Sequence, residues 1–94
     1  PIWLMALAIK FQDMVDRGEV RDYADLARLG YVTRARLTQI MNLLLLAPEI
    51  QETLLNPEFV GRQVHERHLR NIASLVAWHD QRRSWQTSLR EAER

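Results

Sequence analysis

Apolar residues recur at helical spacing along nearly the whole of the 94-residue chain, and no stretch carries a strand signal. In residues 1–17, Leu4, Ala8, Phe11 and Val15 fall on one stripe with Leu7 and Met14 beside it. This predicts a first helix, with Pro1 in its first turn and Gly18 at its end. The first nine residues are apolar on nearly every side, leaving Ile2, Trp3, Met5 and Ile9 over after the stripe is used. The expectation is that the rest of the domain wraps this end. Asp22 is an N-cap for a second helix, Tyr23 to Leu29, with Asp25 three residues on as a weaker capping box. Gly30 and Tyr31 form a turn. Thr33 caps a third helix that runs through Leu44 or Leu46, and its fully apolar end, Leu43 to Leu46, calls for deep packing. Pro48 opens a fourth helix to Leu55, with Glu49 and Glu52 near its N-terminus, and Asn56 and Pro57 stop it. After a loop over 56–63, residues 64–77 resume a helical pattern with the stripe Leu69, Ile72, Ala73 and Val76. A sixth helix over about 80–90 carries Trp85 and Leu89, with Trp78 and Trp85 spaced to share a face. The predicted fold is all-α, a compact orthogonal bundle of about six helices containing a helix-turn-helix. It forms a single domain, 1–94, divided as 1–17, 22–46, 47–56 and 64–90.

The pattern is most specific over residues 25–42, DLARLGYVTRARLTQIMN. Ala27 falls where two helices cross closely, Val32 and Leu37 are spaced to plug the angle between them, and Leu37, Ile40 and Met41 face inward. Arg34, Arg36, Thr38, Gln39 and Asn42 face outward, a set of donors and acceptors suited to base edges in a DNA major groove. Helix geometry assigns base reading to Arg34, Ala35, Thr38 and Gln39. The Arg34 fork matches guanine, Gln39 matches adenine, and Ala35 can touch a thymine methyl. Phosphate contacts fall to Tyr23, Thr33, Arg36 and Asn42. Such motifs usually carry Gly immediately before the position of Val32, where the turn needs a positive φ; this chain has Tyr31 there and Gly30 one residue earlier.

The net charge of +1 conceals an uneven distribution. Asp13, Asp16, Glu19, Asp22 and Asp25 crowd one segment, residues 28–47 hold Arg28, Arg34 and Arg36 with no acid, and a further Arg-rich segment follows Gly61. All but one of the 13 Lys and Arg residues are Arg, the side chain that grips phosphate or guanine with two hydrogen bonds. A secondary basic patch, Arg62, Arg67, His68 and Arg70, lengthens the phosphate footprint if it lies beside the third helix, and is a solubility or partner surface if it lies opposite. His65 and His68 lack a third ligand at metal spacing, with Glu66 read as pointing elsewhere, and His79 reads as a helix-boundary residue. No phosphate-binding Gly loop, nucleophile with an adjacent base, or apolar carboxylate pair is present, so no enzyme, cofactor, metal or small-molecule substrate is expected. The absence of Cys excludes disulfide and thiolate chemistry. The apolar run at 2–9 is too short to span a membrane and lacks the flanks of a signal peptide, so neither is expected, and a cytoplasmic, nucleoid-associated location is the expectation that goes with the DNA-binding reading. Opening on Pro rather than Met, the sequence reads as a piece of a longer chain.

The segment VRDYADLARLGYVTRARLTQIMNLLLLAPEIQETLL, followed by VHERHLRNIASL, resembles the central DNA-binding domain of the ParB, KorB and Noc proteins. That family has a helix-turn-helix of the form ELA…GVSRARVSQ, then a Leu-rich helix end. A P-E-x-x-Q segment follows, to which Pro48–Gln51, P-E-I-Q and so one residue shorter, is similar, and then a GHAR helix start, to which His65–Arg70 is similar. The resemblance covers about residues 21–75 and is most specific over 33–51. It implies an all-helical domain that reads double-stranded DNA, commonly as a homodimer on a palindrome. Nothing here matches the family's N-terminal nucleotide-binding domain or its dimerisation domain, so clamp formation and partition are not carried over. Two alternatives stand beside this reading. One is a DNA-targeting or accessory domain of a site-specific recombinase. The other is a protein-interaction bundle that docks a partner through its apolar first helix.

Overall fold

The computed structural model describes residues 2–30, 32–59 and 64–92. The described residues form six α-helices and no strand: α1 Ile2–Asp16, α2 Tyr23–Leu29, α3 Arg34–Met41, α4 Pro48–Leu55, α5 Glu66–Ala73 and α6 Trp78–Ala92, with a 3-10 segment Asn42–Leu45 between α3 and α4. Molecular extents are 43 × 26 × 22 Å. No described helix is long and apolar enough to cross a membrane.

Local chemistry sets most boundaries. Gly18 has φ +74°, and the Gly18 and Glu19 N–H groups donate to the Val15 and Met14 carbonyls at 3.1 and 2.9 Å. That bond pair closes the last turn of α1 and needs the left-handed conformation glycine adopts freely. An Asp22 carboxylate oxygen accepts the Asp25 N–H at 3.0 Å, starting α2. The Asp25 carboxylate reaches back one residue further than a capping box does, to the Arg21 N–H at 3.0 Å. Thr33 Oγ1 accepts the Arg36 N–H at 3.0 Å and starts α3.

The core is built around the end of α3. Helix α1 packs on α3, α4 and the 3-10 segment, while α5 packs on the 3-10 segment and α6. Leu43 and Leu46 are fully buried at this junction, together with Met5, Ile50, Leu69 and Ile72. A smaller cluster of Val20, Leu26, Ala27, Leu37 and Met41 lies between α2, α3 and the end of α1, and Leu44 packs against both clusters.

Several expectations are corrected here. Met5, left over from the predicted stripe, is fully buried, whereas Trp3 and Ile9 are exposed, so the apolar surplus of α1 divides between core and surface. The third helix, expected to run through Leu44 or Leu46, ends as α-helix at Met41 and is followed by the 3-10 segment Asn42–Leu45. The tightening rotates Leu45 outward, leaving it 57% exposed between the partly buried Leu44 and the buried Leu46. Helix α5 spans only Glu66–Ala73, so Val76 falls in the following turn and is 97% exposed. Trp85 is buried against Phe59 with ring centroids 5.9 Å apart, whereas Trp78, at the start of α6, is half exposed beyond the core edge.

Two glutamines serve the buried bend after α3, where carbonyls at a helix end lack partners within the helix. Gln51 Nε2 donates to the Leu44 and Leu46 carbonyls at 3.0 and 2.9 Å. Gln81, 1% exposed, accepts the Ala47 N–H at 2.7 Å and donates to the Leu45 and Leu75 carbonyls at 3.1 and 2.9 Å.

Candidate nucleic-acid interface

Helices α2 and α3 meet through Ala27 and Leu37, both buried, with Val32 half buried beside them. The connection is tight. The Gly30 N–H donates to the Leu26 carbonyl at 2.8 Å and the Val32 N–H to the Ala27 carbonyl at 3.1 Å. Gly30 has a right-handed φ of −84°, so it does not provide a positive φ. What favours glycine there is space, since an added Cβ would sit 3.1 Å from the Leu26 carbonyl oxygen. Tyr31 lies outside the described residues.

Arg34, Ala35, Thr38 and Gln39 are all exposed, and their three- and four-residue spacings place them on one face of α3 opposite the buried Leu37, Ile40 and Met41. Thr38 Oγ1 donates to the Arg34 carbonyl at 3.0 Å, which leaves its hydroxyl as an acceptor. Gln39 Oε1 accepts from Arg36 Nη1 at 3.1 Å, leaving the Gln39 amide N–H groups as its available donors.

The residues expected at phosphates occupy less uniform positions. Thr33 is exposed, with its hydroxyl oxygen engaged in capping α3. The Tyr23 hydroxyl donates to Gln12 Oε1 at 2.7 Å, and the adjacent Asp22 brings negative charge to the start of α2, so this corner is unfavourable for a phosphate. Asn42 is exposed but follows the C-terminus of α3, the negative end of the helix dipole. Arg36 is turned to Glu66, with Nη2 donating to Oε1 at 2.8 Å and Nη1 to Oε2. Arg70 Nη1 donates to the same Oε2 at 2.5 Å.

Glu66 therefore joins the first turn of α3 to α5, and this places Arg70, one member of the secondary basic patch, on the α3 side. Arg67 and His65 are exposed on the same short helix start, and His68 is half buried with its ring edge-on to His65, centroids 5.9 Å apart. Arg62 lies outside the described residues. Hydrogen bonding from Arg36 holds the Glu66 carboxyl below the usual carboxylate range, against a desolvation cost, with Arg70 adding to the effect. The Arg36 guanidinium is raised in turn by its bond to Glu66. The i,i+4 spacing of Glu66 and Arg70 is a signal visible in the sequence; the partnership with Arg36, 30 residues away, is not. Among the described residues, no three His, Cys, Asp or Glu groups come together as metal ligands.

Away from this face, Leu45, Ala73, Ser74, Leu75, Val76 and Trp78 line an open groove of about 370 Å³. No family model, curated protein or solved structure matches the chain.

Proposed function

We propose that the domain binds double-stranded DNA sequence-specifically, with α2 and α3 acting as a helix-turn-helix and α3 as its recognition helix. The observation that carries this reading is the shared exposure of Arg34, Ala35, Thr38 and Gln39 on a helix whose opposite face is buried. Arg34 reads a guanine edge, Gln39 donates to a base acceptor, and Ala35 and Thr38 contact neighbouring edges. Phosphate contacts come from Thr33, Arg67 and the Arg36 and Arg70 pair, a set revised from the sequence by the positions of Tyr23 and Asn42. The resemblance to the ParB, KorB and Noc central domain supports the same reading and adds pairing of two copies on a palindrome. A bacterial nucleoid location and roles in regulation, segregation or recombination, including service as a recombinase accessory domain, follow from that resemblance alone.

A salt-series anisotropy titration on a mixed-sequence duplex, followed by sequencing of DNA selected from a random pool, tests the proposal. Binding that weakens linearly with the logarithm of salt, and an enriched motif, are expected. Arg34→Ala should relax preference at one base pair by about 1–3 kcal/mol. Binding with no salt slope and no enriched motif would sink the proposal. A second reading, a protein-docking bundle, is favoured by the exposed Trp3 and by the apolar groove at Leu45, Val76 and Trp78.

A further inference from the structure

At the seam of α3 and α5 one carboxylate serves two guanidiniums. Arg36 engages Glu66 through both Nη atoms and Arg70 through one, so the cluster retains a positive surplus. The three side chains keep 38%, 33% and 24% of their exposure for Arg36, Arg70 and Glu66, which lets an anion approach from solvent. A phosphate arriving from solvent presents the same acceptor geometry as the carboxylate, so it can compete with Glu66 for the two guanidiniums. Among the described residues no ion pair engages Arg34 or Arg67, which lie near the starts of α3 and α5.

We propose that Glu66 is a built-in competitor for DNA phosphate, which holds Arg36 and Arg70 back in the free protein and so restrains sequence-independent binding. The inference rests on the DNA-binding reading above and adds a determinant of affinity and salt dependence that touches no base. Of the four base-reading residues, Gln39 alone is linked to this cluster, through Arg36. The carboxylate thus opposes the phosphate contribution to every duplex alike while leaving the contribution of base edges in place, so it sets the absolute affinity and the salt dependence of binding.

The test compares the intact chain with Glu66→Gln on a short mixed-sequence duplex over a salt series. The amide keeps the shape and one acceptor but removes the charge. Non-specific binding should tighten about two- to fivefold, the effect of freeing partly exposed guanidiniums for phosphate. The logarithmic salt slope should steepen by about 0.9 for each guanidinium freed. Unchanged or weaker binding by a variant that retains the parent's helicity and Tm overturns the proposal. A measurement on the unaltered chain stands independently of how the variant folds: the Glu66 carboxyl ¹³C resonance is titrated with and without the duplex. Displacement predicts that its pKa rises towards the ordinary carboxylate range when DNA binds, and an unmoved titration overturns it. Failure of the parent chain to bind the duplex removes the DNA reading and this inference together, whereas salt-dependent binding that ignores Glu66→Gln removes only the latter.

Discussion

Asp25, Glu49 and Glu66 each sit against Arg side chains, and in each the carboxyl is held below its usual range chiefly by a side-chain hydrogen bond, from Arg21, Arg82 and Arg36 respectively. A carboxylate with a depressed pKa in the folded state stabilises the fold fully above the unfolded-state value of about 4, and that contribution is lost as pH falls through the lowered value. Thermal midpoints at constant ionic strength should be level from neutrality to about pH 5 and fall below about pH 4. Asp25→Asn should flatten part of the acid limb, because it removes the titrating charge. A midpoint that rose on acidification would contradict these pairings. Asp25 is the informative choice, since it is buried to 8% exposure while accepting both the Arg21 N–H and its Nε.

At the level of elements, the bend between α3 and α4 depends on Gln81 more than on any local cap, because Ala47 precedes α4 without a side-chain acceptor of its own. Gln81→Leu would strand the buried Ala47 N–H and two carbonyls, and each unsatisfied buried group costs about 1–3 kcal/mol. A loss of about 2–4 kcal/mol is expected, read as a lower urea midpoint at unchanged slope. Gln81→Glu should cost at least as much at neutral pH, since a buried carboxylate can accept from Ala47 but faces the Leu45 and Leu75 carbonyl oxygens with no proton to donate. Contacts of this kind mark where the sequence stopped being legible. Caps at Asp22 and Thr33, the stop at Gly18 and the span of α4 are local and were readable from residue type and spacing. The outward face of α3 was readable for the same reason. The exposure of Leu45 and Val76 was not, because it depends on where a helix tightens or ends within an apolar run. The pairing of Arg36 with Glu66 was hidden too, since 30 residues of chain separate partners that only tertiary packing brings together.

At the scale of the whole molecule, the two apolar clusters are not independent units. Ile40 belongs to the larger and Met41 to the smaller, consecutive residues of one helix, and Leu44 packs against both. Loss of either cluster leaves α3 half unsupported, so unfolding should be a single cooperative transition. Fluorescence reports the larger cluster through Trp85, the most buried of the three tryptophans, and far-UV circular dichroism reports every helix. The two transitions should coincide, and the Leu37 and Leu69 amides should exchange with the same opening free energy. Leu44→Ala should lower stability by about 2 kcal/mol, near the small end for a core leucine because the side chain is only partly buried. It should also separate the two amide groups, with Leu37 opening first, because the smaller cluster has fewer neighbours to hold it. On the proposed reading, in which α3 presents the base-reading face as well as linking the clusters, duplex DNA should raise both opening energies together in the parent chain. In Leu44→Ala it should raise that of Leu37 more than that of Leu69. Protection confined to Leu69 would place the bound partner on the α5–α6 side, where Val76 and Trp78 lie, and not on α3.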